Sequence, residues 1–423
     1  MLKRGYYGLL ATISLSSLGD TFGLLAMEWL VYDLTGSKLA MGALALSSSI
    51  PEFILRLIGS PLSDRLHRSR FMAGLAAVRL LAILVPLTMG LAGQLQLWHL
   101  FLAAGLSGAC AALFMPTAMA VVPDVADTRK LVRAFAVIDG FKNAAALLGP
   151  AMAGALTAAA GALPAMGVYA VCYTGAIVTL LWLPKMQTPA KNGSNLSLAR
   201  YIREITEGFS FYKNFPAMLT IMCMVAISNM CNIAVWTMII PFVRDVLNRD
   251  AVAIGALTTV FALGTLVGLT MISFLGEIKQ RQTVMLSSLM VIGLSTTLIG
   301  FASSYPLVLA AQFITGVAAP FFGSLSSSLH GRLVPSHLQG RVNSIRFLIG
   351  GSLQPVGAMG GAAIAHAYGL PILFLAAGLI PILCSGVAML LPVLKGINGD
   401  LSDLEAKQRQ KQHLTTNKGD VPA

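Results

Sequence analysis

Apolar residues run along this chain in long blocks separated by short polar punctuation, without the alternation that marks half-buried strands. Twelve such blocks can be drawn, at 7–32, 39–59, 71–93, 98–121, 133–159, 163–184, 216–241, 251–275, 283–302, 306–329, 342–367 and 370–394. Each is long enough to cross about 30 Å of hydrocarbon as a helix with some tilt. Lipid offers the backbone no hydrogen bonds, so only helices or closed barrels cross it, and barrel strands would alternate over about 10 residues. The pattern therefore predicts an all-α polytopic membrane protein with twelve spans. The first block is too long and too polar in its middle for a signal peptide, and no cleavage site follows it.

Composition agrees. Only 11% of the 423 residues are charged and 56% are hydrophobic, where a soluble domain has about a quarter charged. A soluble enzyme and a disordered chain are both excluded. The net charge of +12 has a topological origin. With the N-terminus inside and twelve spans, inside segments hold 22 Lys and Arg and outside loops hold three, Lys38, Arg244 and Arg249. That asymmetry places both termini in the cytoplasm and the chain in the cytoplasmic membrane. No basic patch interleaved with aromatics suggests nucleic acid. The five cysteines all fall within spans, with no CxxC spacing and no His cluster, so neither disulfides nor a metal site is expected.

The longest interruption, 185–215, divides the spans into six and six. It opens as a polar stretch and continues as LSLARYIREITEGFSFYKNF, which reads as an amphipathic helix at the inner surface. The expected organisation is a bundle at 1–184, this linker at 185–215, a second bundle at 216–394 and a tail at 395–423. The halves echo each other. Leu62, Asp64 and Arg68 after the second span align with Leu275, Glu277 and Arg281 after the eighth at an offset of 213, and Val122-Pro123 aligns with Val334-Pro335 at 212. Parallel six-helix repeats of this kind describe a transporter architecture.

These residues resemble the major facilitator superfamily. In GSPLSDRLHRSR, Asp64, Arg65 and Arg68 match its loop after the second span, with Ser60 and His67 where glycines are usual. In ALLGPAMAGA, Gly149, Pro150 and Gly154 match the fifth-span signature of its exporters, with Ala145 and Ala153 at the flanking glycine positions. The stretches SLGDTFGLLAMEWLVYDLTGS and IIPFVRDVLN are similar to the branch of siderophore, macrolide and drug exporters. The resemblance covers roughly residues 10 to 395. It implies two pseudo-symmetric bundles, alternating access, a proton gradient in place of any cofactor, and a monomer in contact with membrane lipid and protons.

Charge inside a membrane needs a reason. The acids within the blocks are Asp20, Glu28, Glu52 and Asp139, and the bases are Arg56, Arg79, Lys142 and Arg346. Seven of these eight precede the linker. Glu52 and Arg56 share a helix face, as do Asp139 and Lys142. With Arg79 they form either one network in the cytoplasmic half of the bilayer or a static set of ion pairs. Asp20 has no base within a helical turn, and such a carboxyl can bind protons under conformational control; the alternatives are helix capping or a pair with Arg79. Asp20, Glu52, Asp139 and Arg79 are thus the candidates for proton coupling, while Glu28 is expected to be solvated near an outer end. Asp64, Arg65 and Arg68 are the expected cytoplasmic gate, or else a topological marker. After the linker the polar spots are amides. Asn229, Asn232 and Trp236 fall at i, i+3 and i+7, and with Gln312 they suit a cavity for an amphipathic ligand or, equally, glue between helices.

The function expected is secondary active efflux of an amphipathic small molecule (a drug, macrolide, siderophore or other secondary metabolite) by proton antiport. The alternative is a proton-coupled uptake carrier for a metabolite or sugar. No nucleophile–base pair, metal cluster or Walker-type phosphate loop points to an enzyme or to direct ATP drive.

Overall fold

The computed structural model describes residues 4–58, 67–126, 131–181, 206, 209–213, 215–302, 304–335 and 338–399. Twelve long apolar helices account for nearly all of it. The first six are α1 (Arg4–Thr35), α2 (Lys38–Ile58), α3 (Arg68–Leu91), α4 (Leu97–Val125), α5 (Leu131–Ala160) and α6 (Ala162–Leu181). The second six are α7 (Pro216–Thr237), α8 (Ala251–Leu275), α9 (Arg281–Phe301), α10 (Tyr305–Leu333), α11 (Gln339–Ser352 continuing as Gln354–Tyr368) and α12 (Leu370–Leu390). Among the described residues there is no strand. Most of the proposed linker and tail lies outside the described residues; of the amphipathic helix, 206 and 209–213 are described and helical, with Phe211 and Tyr212 buried in the core of the second half.

Two helices depart from the uninterrupted spans expected. α7 stops at Thr237, and the chain resumes as a short turn, Ile239–Pro241, followed by a π-helical turn, Phe242–Val246. Pro241 has no N–H to give the Thr237 carbonyl, so the regular ladder cannot pass it. α11 is interrupted at Leu353, because Pro355 sits in the first turn of the segment that follows.

Within the first half, α1 packs on α5 and α6, and α4 on α2 and α3; within the second, α8 packs on α10, α9 on α10 and α12, and α7 on α11 and α12. The halves meet along two seams, α5 with α8 and α2 with α11. Both seams use missing side chains. A Cβ on Gly154 would come within 2.4 Å of the Ala251 carbonyl, and one on Gly255 within 2.7 Å of the Pro150 carbonyl. A Cβ on Gly42 would meet that of Ala362 at 2.6 Å.

These seams lie towards one end of the helices. One face of the bundle carries Arg68, Arg133, Lys213, Arg281 and Lys395 at helix ends, and is called the basic face below; the seams gather towards the opposite face. A single apolar core joins the halves there, running from Phe22, Leu25 and Val31 of α1 to Ile240, Ile254, Val308 and Ala362. At the basic face the second half has its own separate core, built around Tyr212, Met222, Leu289, Leu329 and Val342. The contacts between the halves thus gather at the opposite face while their cores separate towards the basic face, and we infer a cleft between them that opens towards the basic face.

Candidate functional site

α1 carries the charge chemistry of the cleft. Gly19 and Gly23 let it lie against Cys172, Tyr173 and Tyr169 of α6, which turns Asp20 towards α3 and α6. Asp20 Oδ1 accepts from Arg79 Nη2 at 2.5 Å and from the Tyr173 hydroxyl at 2.8 Å. The Arg79 guanidinium also lies over the Tyr173 ring, 4.7 Å from its centroid, and Tyr173 stacks on Tyr169 at 4.6 Å. Arg79 is buried, at 7% side-chain exposure, whereas Asp20 is 42% exposed. Of the alternatives open for Asp20, the pair with Arg79 is the one formed, so the carboxyl is not isolated: its base comes from α3, 59 positions along the chain. The single network also dissolves. Arg56 pairs with Glu52 on α2 at 2.5 Å, and Lys142 with Asp139 on α5 at 3.6 Å, each within its own helix and each well exposed.

Glu28 is corrected in the other direction. It is half-buried rather than freely solvated, two turns beyond Asp20 towards the opposite face. Among the described residues it has no hydrogen bond or ion pair, unlike Asp20, Glu52 and Asp139.

The opposite face is latched by residues that local patterning did not single out. The π-helical turn after α7 presents the successive residues Arg244 and Asp245 to the successive residues Asp33 and Tyr32 at the end of α1. Arg244 forms an ion pair with Asp33, and the Tyr32 hydroxyl donates to Asp245 Oδ2 at 2.5 Å. The Arg244 guanidinium is also 5.0 Å from the Trp29 ring centroid. Trp29, Tyr32 and Asp33 belong to one half, and Arg244 and Asp245 to the other. Behind the latch, Thr259 of α8 donates to the Leu147 carbonyl of α5 at 3.3 Å. Gly149 lies against Thr21 of α1, while Pro150 and Gly154 form the α5 side of the seam with α8.

At the basic face, Arg68 bonds Asp124 at 3.0 Å and the Ala120 carbonyl at 2.9 Å, both on α4 of its own half. Asp64 and Arg65 lie outside the described residues. In the second half, Arg281 is fully buried, pairs with Glu277 at 2.8 Å and donates to the carbonyls of Ile397 and Gly399.

The amides after the linker split between the two uses expected of them. Asn229 donates to the Gly350 carbonyl at 2.8 Å, so it joins α7 to α11 just ahead of the interruption. Gln312 is buried at 5% exposure. Asn232 is exposed, and half-buried Trp236 meets Phe261 edge-on at 6.2 Å. Asn232 and Trp236 thus remain the candidates for the cavity wall. Among the described residues no group of His, Cys, Asp and Glu could hold a metal ion.

A twelve-helix bundle in two halves, closed at one face by contacts between them, is the architecture of a major facilitator transporter, and this protein is a transporter rather than an enzyme. The family model described as transmembrane secretion effector matches residues 5–421, and the chain belongs to that family. It is 24% identical over 408 residues to the multidrug efflux pump Tap of Mycolicibacterium fortuitum, covering 94% of this chain and 98% of the relative. It is 21% identical over 398 residues to macrolide efflux protein A of Streptococcus pyogenes, covering 93% and 97%. Among solved structures, a bacterial homologue of the iron transporter ferroportin in an inward-facing state superposes with a TM-score of 0.72 at 17% identity, covering 92% of this chain and 99% of that one. A bacterial homologue of the human lysosomal transporter Spinster, inward-facing and unoccupied, gives 0.71 at 12%, covering 94% and 98%. These likenesses show the fold.

Proposed function

We propose that this protein exports an amphipathic small molecule across the cytoplasmic membrane in exchange for protons, with its basic face and both termini in the cytoplasm. The excess of Lys and Arg on that face supports the orientation. The open cleft then faces the cytoplasm, where cargo is collected. Export as the direction rests on one observation above the others. The Gly149-Pro150…Gly154 segment, which resembles the exporter signature, forms half of the seam that shuts the far side. The efflux activities named for the full-length relatives point the same way. Asn232, Trp236 and Phe261 offer an amphipathic cargo one amide and two aromatic faces.

Coupling falls to the two acids of α1. Glu28 can take a proton without breaking any contact, and it lies nearer the face from which protons enter. Asp20 can take one only by giving up Arg79, so its protonation is tied to the packing of α1 against α3 and α6. Glu52 and Asp139 are paired within single helices, which gives a proton no other element to move. The chain acts as a monomer, and the cleft is complete within one copy.

Inverted membrane vesicles test this with ethidium and a macrolide as probes. A proton gradient should drive accumulation of at least one probe, and a protonophore should abolish it. Asp20→Asn and Glu28→Gln should each remove gradient-driven accumulation, while Glu52→Gln and Asp139→Asn keep it. Accumulation indifferent to the protonophore would sink the antiport reading. Accumulation by intact cells instead of inverted vesicles would establish uptake.

A further inference from the structure

Three of the four bases inside the spans have a carboxylate within reach: Arg56 has Glu52, Arg79 has Asp20 and Lys142 has Asp139. Arg346 has none among the described residues. The reason is visible in the sequence, since no Asp or Glu occurs between positions 281 and 399, and α9 to α12 have no acid to offer. Its guanidinium Nη2 donates instead to the Ser327 hydroxyl at 2.8 Å. A cation about two turns into a membrane helix is costly without a counter-charge.

Arg346 lines a cavity of about 130 Å³ between the last turns of α10 and the first turns of α11. The gap exists because these helices pack on different partners, α10 on α8 and α9, and α11 on α7 and α2. Ser327, His330, Gln339 and Asn343 contribute polar walls, and none of the lining residues is acidic. His330 adds no second charge. Its Nδ1–H donates to the Ser326 carbonyl at 2.7 Å, and a neutral ring then accepts the Tyr212 hydroxyl at Nε2, 3.0 Å away. Burial pushes the Tyr212 phenol up to about 12, so it keeps that proton. Asn343 is exposed and makes no hydrogen bond among the described residues. The cavity is therefore a small polar recess with one positive charge, a hydroxyl and a free amide, opening on the face where anionic lipid headgroups gather.

We propose that this recess binds a phosphate group, paired with Arg346 and bonded by Asn343, supplied by an anionic phospholipid or by free phosphate. The inference rests on the proposed orientation, with this face in the cytoplasm, and stands apart from the direction and coupling of transport. It is tested on the purified full-length chain by titration calorimetry with dioctanoyl phosphatidylglycerol, dioctanoylglycerol and inorganic phosphate. Saturable binding of the phosphatidylglycerol and none of the dioctanoylglycerol is expected. Arg346→Gln should weaken it by at least about tenfold, the scale of a charged hydrogen-bonded contact. Displacement by inorganic phosphate assigns the site to the phosphate group alone, and its failure to displace assigns it to the lipid. Equal binding of dioctanoylglycerol, or unchanged binding in Arg346→Gln, overturns the proposal. If Arg346→Gln does not fold, Asn343→Ala at its exposed position and the charge-preserving Arg346→Lys replace it. Both should bind several-fold more weakly, and unchanged affinity in both also overturns the proposal.

Discussion

The two six-helix halves share a plan and differ in how they are held. The acids within the described spans all belong to the first half: Asp20, Glu28 and Asp33 in α1, Glu52 in α2, Asp124 in α4 and Asp139 in α5. There, α1, α3 and α6 are tied by Asp20, Arg79 and Tyr173. The second half has no acid within its spans. It is joined by close glycine contacts, such as Gly264 and Gly316 between α8 and α10, and by the bond from Asn229 to Gly350. It also holds both helix irregularities, the π-helical turn after α7 and the interruption of α11. Duplicated architecture has thus been divided: titratable chemistry sits in one half, and backbone irregularity in the other, where it meets the first half across the seams.

Removing the charge at the centre of the first half should have the largest effect. Arg79→Gln leaves Asp20 facing the cleft without its base and removes a cation packed over Tyr173. Breaking a buried pair from one side costs about 3–5 kcal/mol, a figure to be discounted here because Asp20 is 42% exposed. A clear drop in melting temperature and folded yield in detergent is expected. The same measurement on Asn229→Ala should show a loss of only about 1 kcal/mol, for one neutral hydrogen bond. Equal losses would erase the distinction between the halves.

The seam comes next. In Gly154→Ala the new Cβ would lie 2.4 Å from the Ala251 carbonyl, and neither backbone can yield without moving a helix. Overpacking of this kind costs about 1–3 kcal/mol, and here the cost falls only on the state closed at the opposite face. The variant should fold normally while a cysteine placed at Leu24, one turn beyond Asp20 on the same face of α1 and 55% exposed, becomes more reactive from the opposite face. Normal reactivity with reduced stability would show that Gly154 supports the fold and not the closure.

Much of this was legible from the chain alone, for a physical reason. Twelve spans and the basic bias come from hydropathy and loop charge, which are local properties, while several observed ends lie up to four residues away, as at Val125, Thr237 and Leu333. The partner of Asp20 is not local: Arg79 reaches it only after two turns of chain reversal, so a search within one helical turn finds nothing. The same holds for Arg244 with Asp33. Pairs within one helix, Glu52 with Arg56 and Asp139 with Lys142, are readable because spacing alone decides them. The interruption of α11 left a signal in Pro355, and that of α7 in Pro241. Both prolines are visible, yet apolar runs continue through them, and hydropathy has no way to register a missing N–H.

The smallest effect expected is at the latch, and it sharpens the comparison most because it joins the halves. Arg244 pairs with Asp33 and stacks near Trp29. The two charged side chains are 33% and 43% exposed, so water screens the pair and its worth is about 0.2–1 kcal/mol. That is too little to threaten folding, and Arg244→Gln should melt like the parent. It is enough to move a balanced two-state equilibrium by up to about fivefold, because the contact exists only when the opposite face is shut. The prediction is a modest rise in labelling of the Leu24 cysteine from that face, repeated by Asp33→Asn and not increased further in the double variant. Additive increases would mean that each residue acts through a partner of its own, Arg244 through Trp29 and Asp33 through solvent. Tyr32→Phe provides the internal check. It removes only the hydroxyl bonded to Asp245 and keeps the buried ring, so a rise in labelling there separates the hydrogen bond from the packing beneath it.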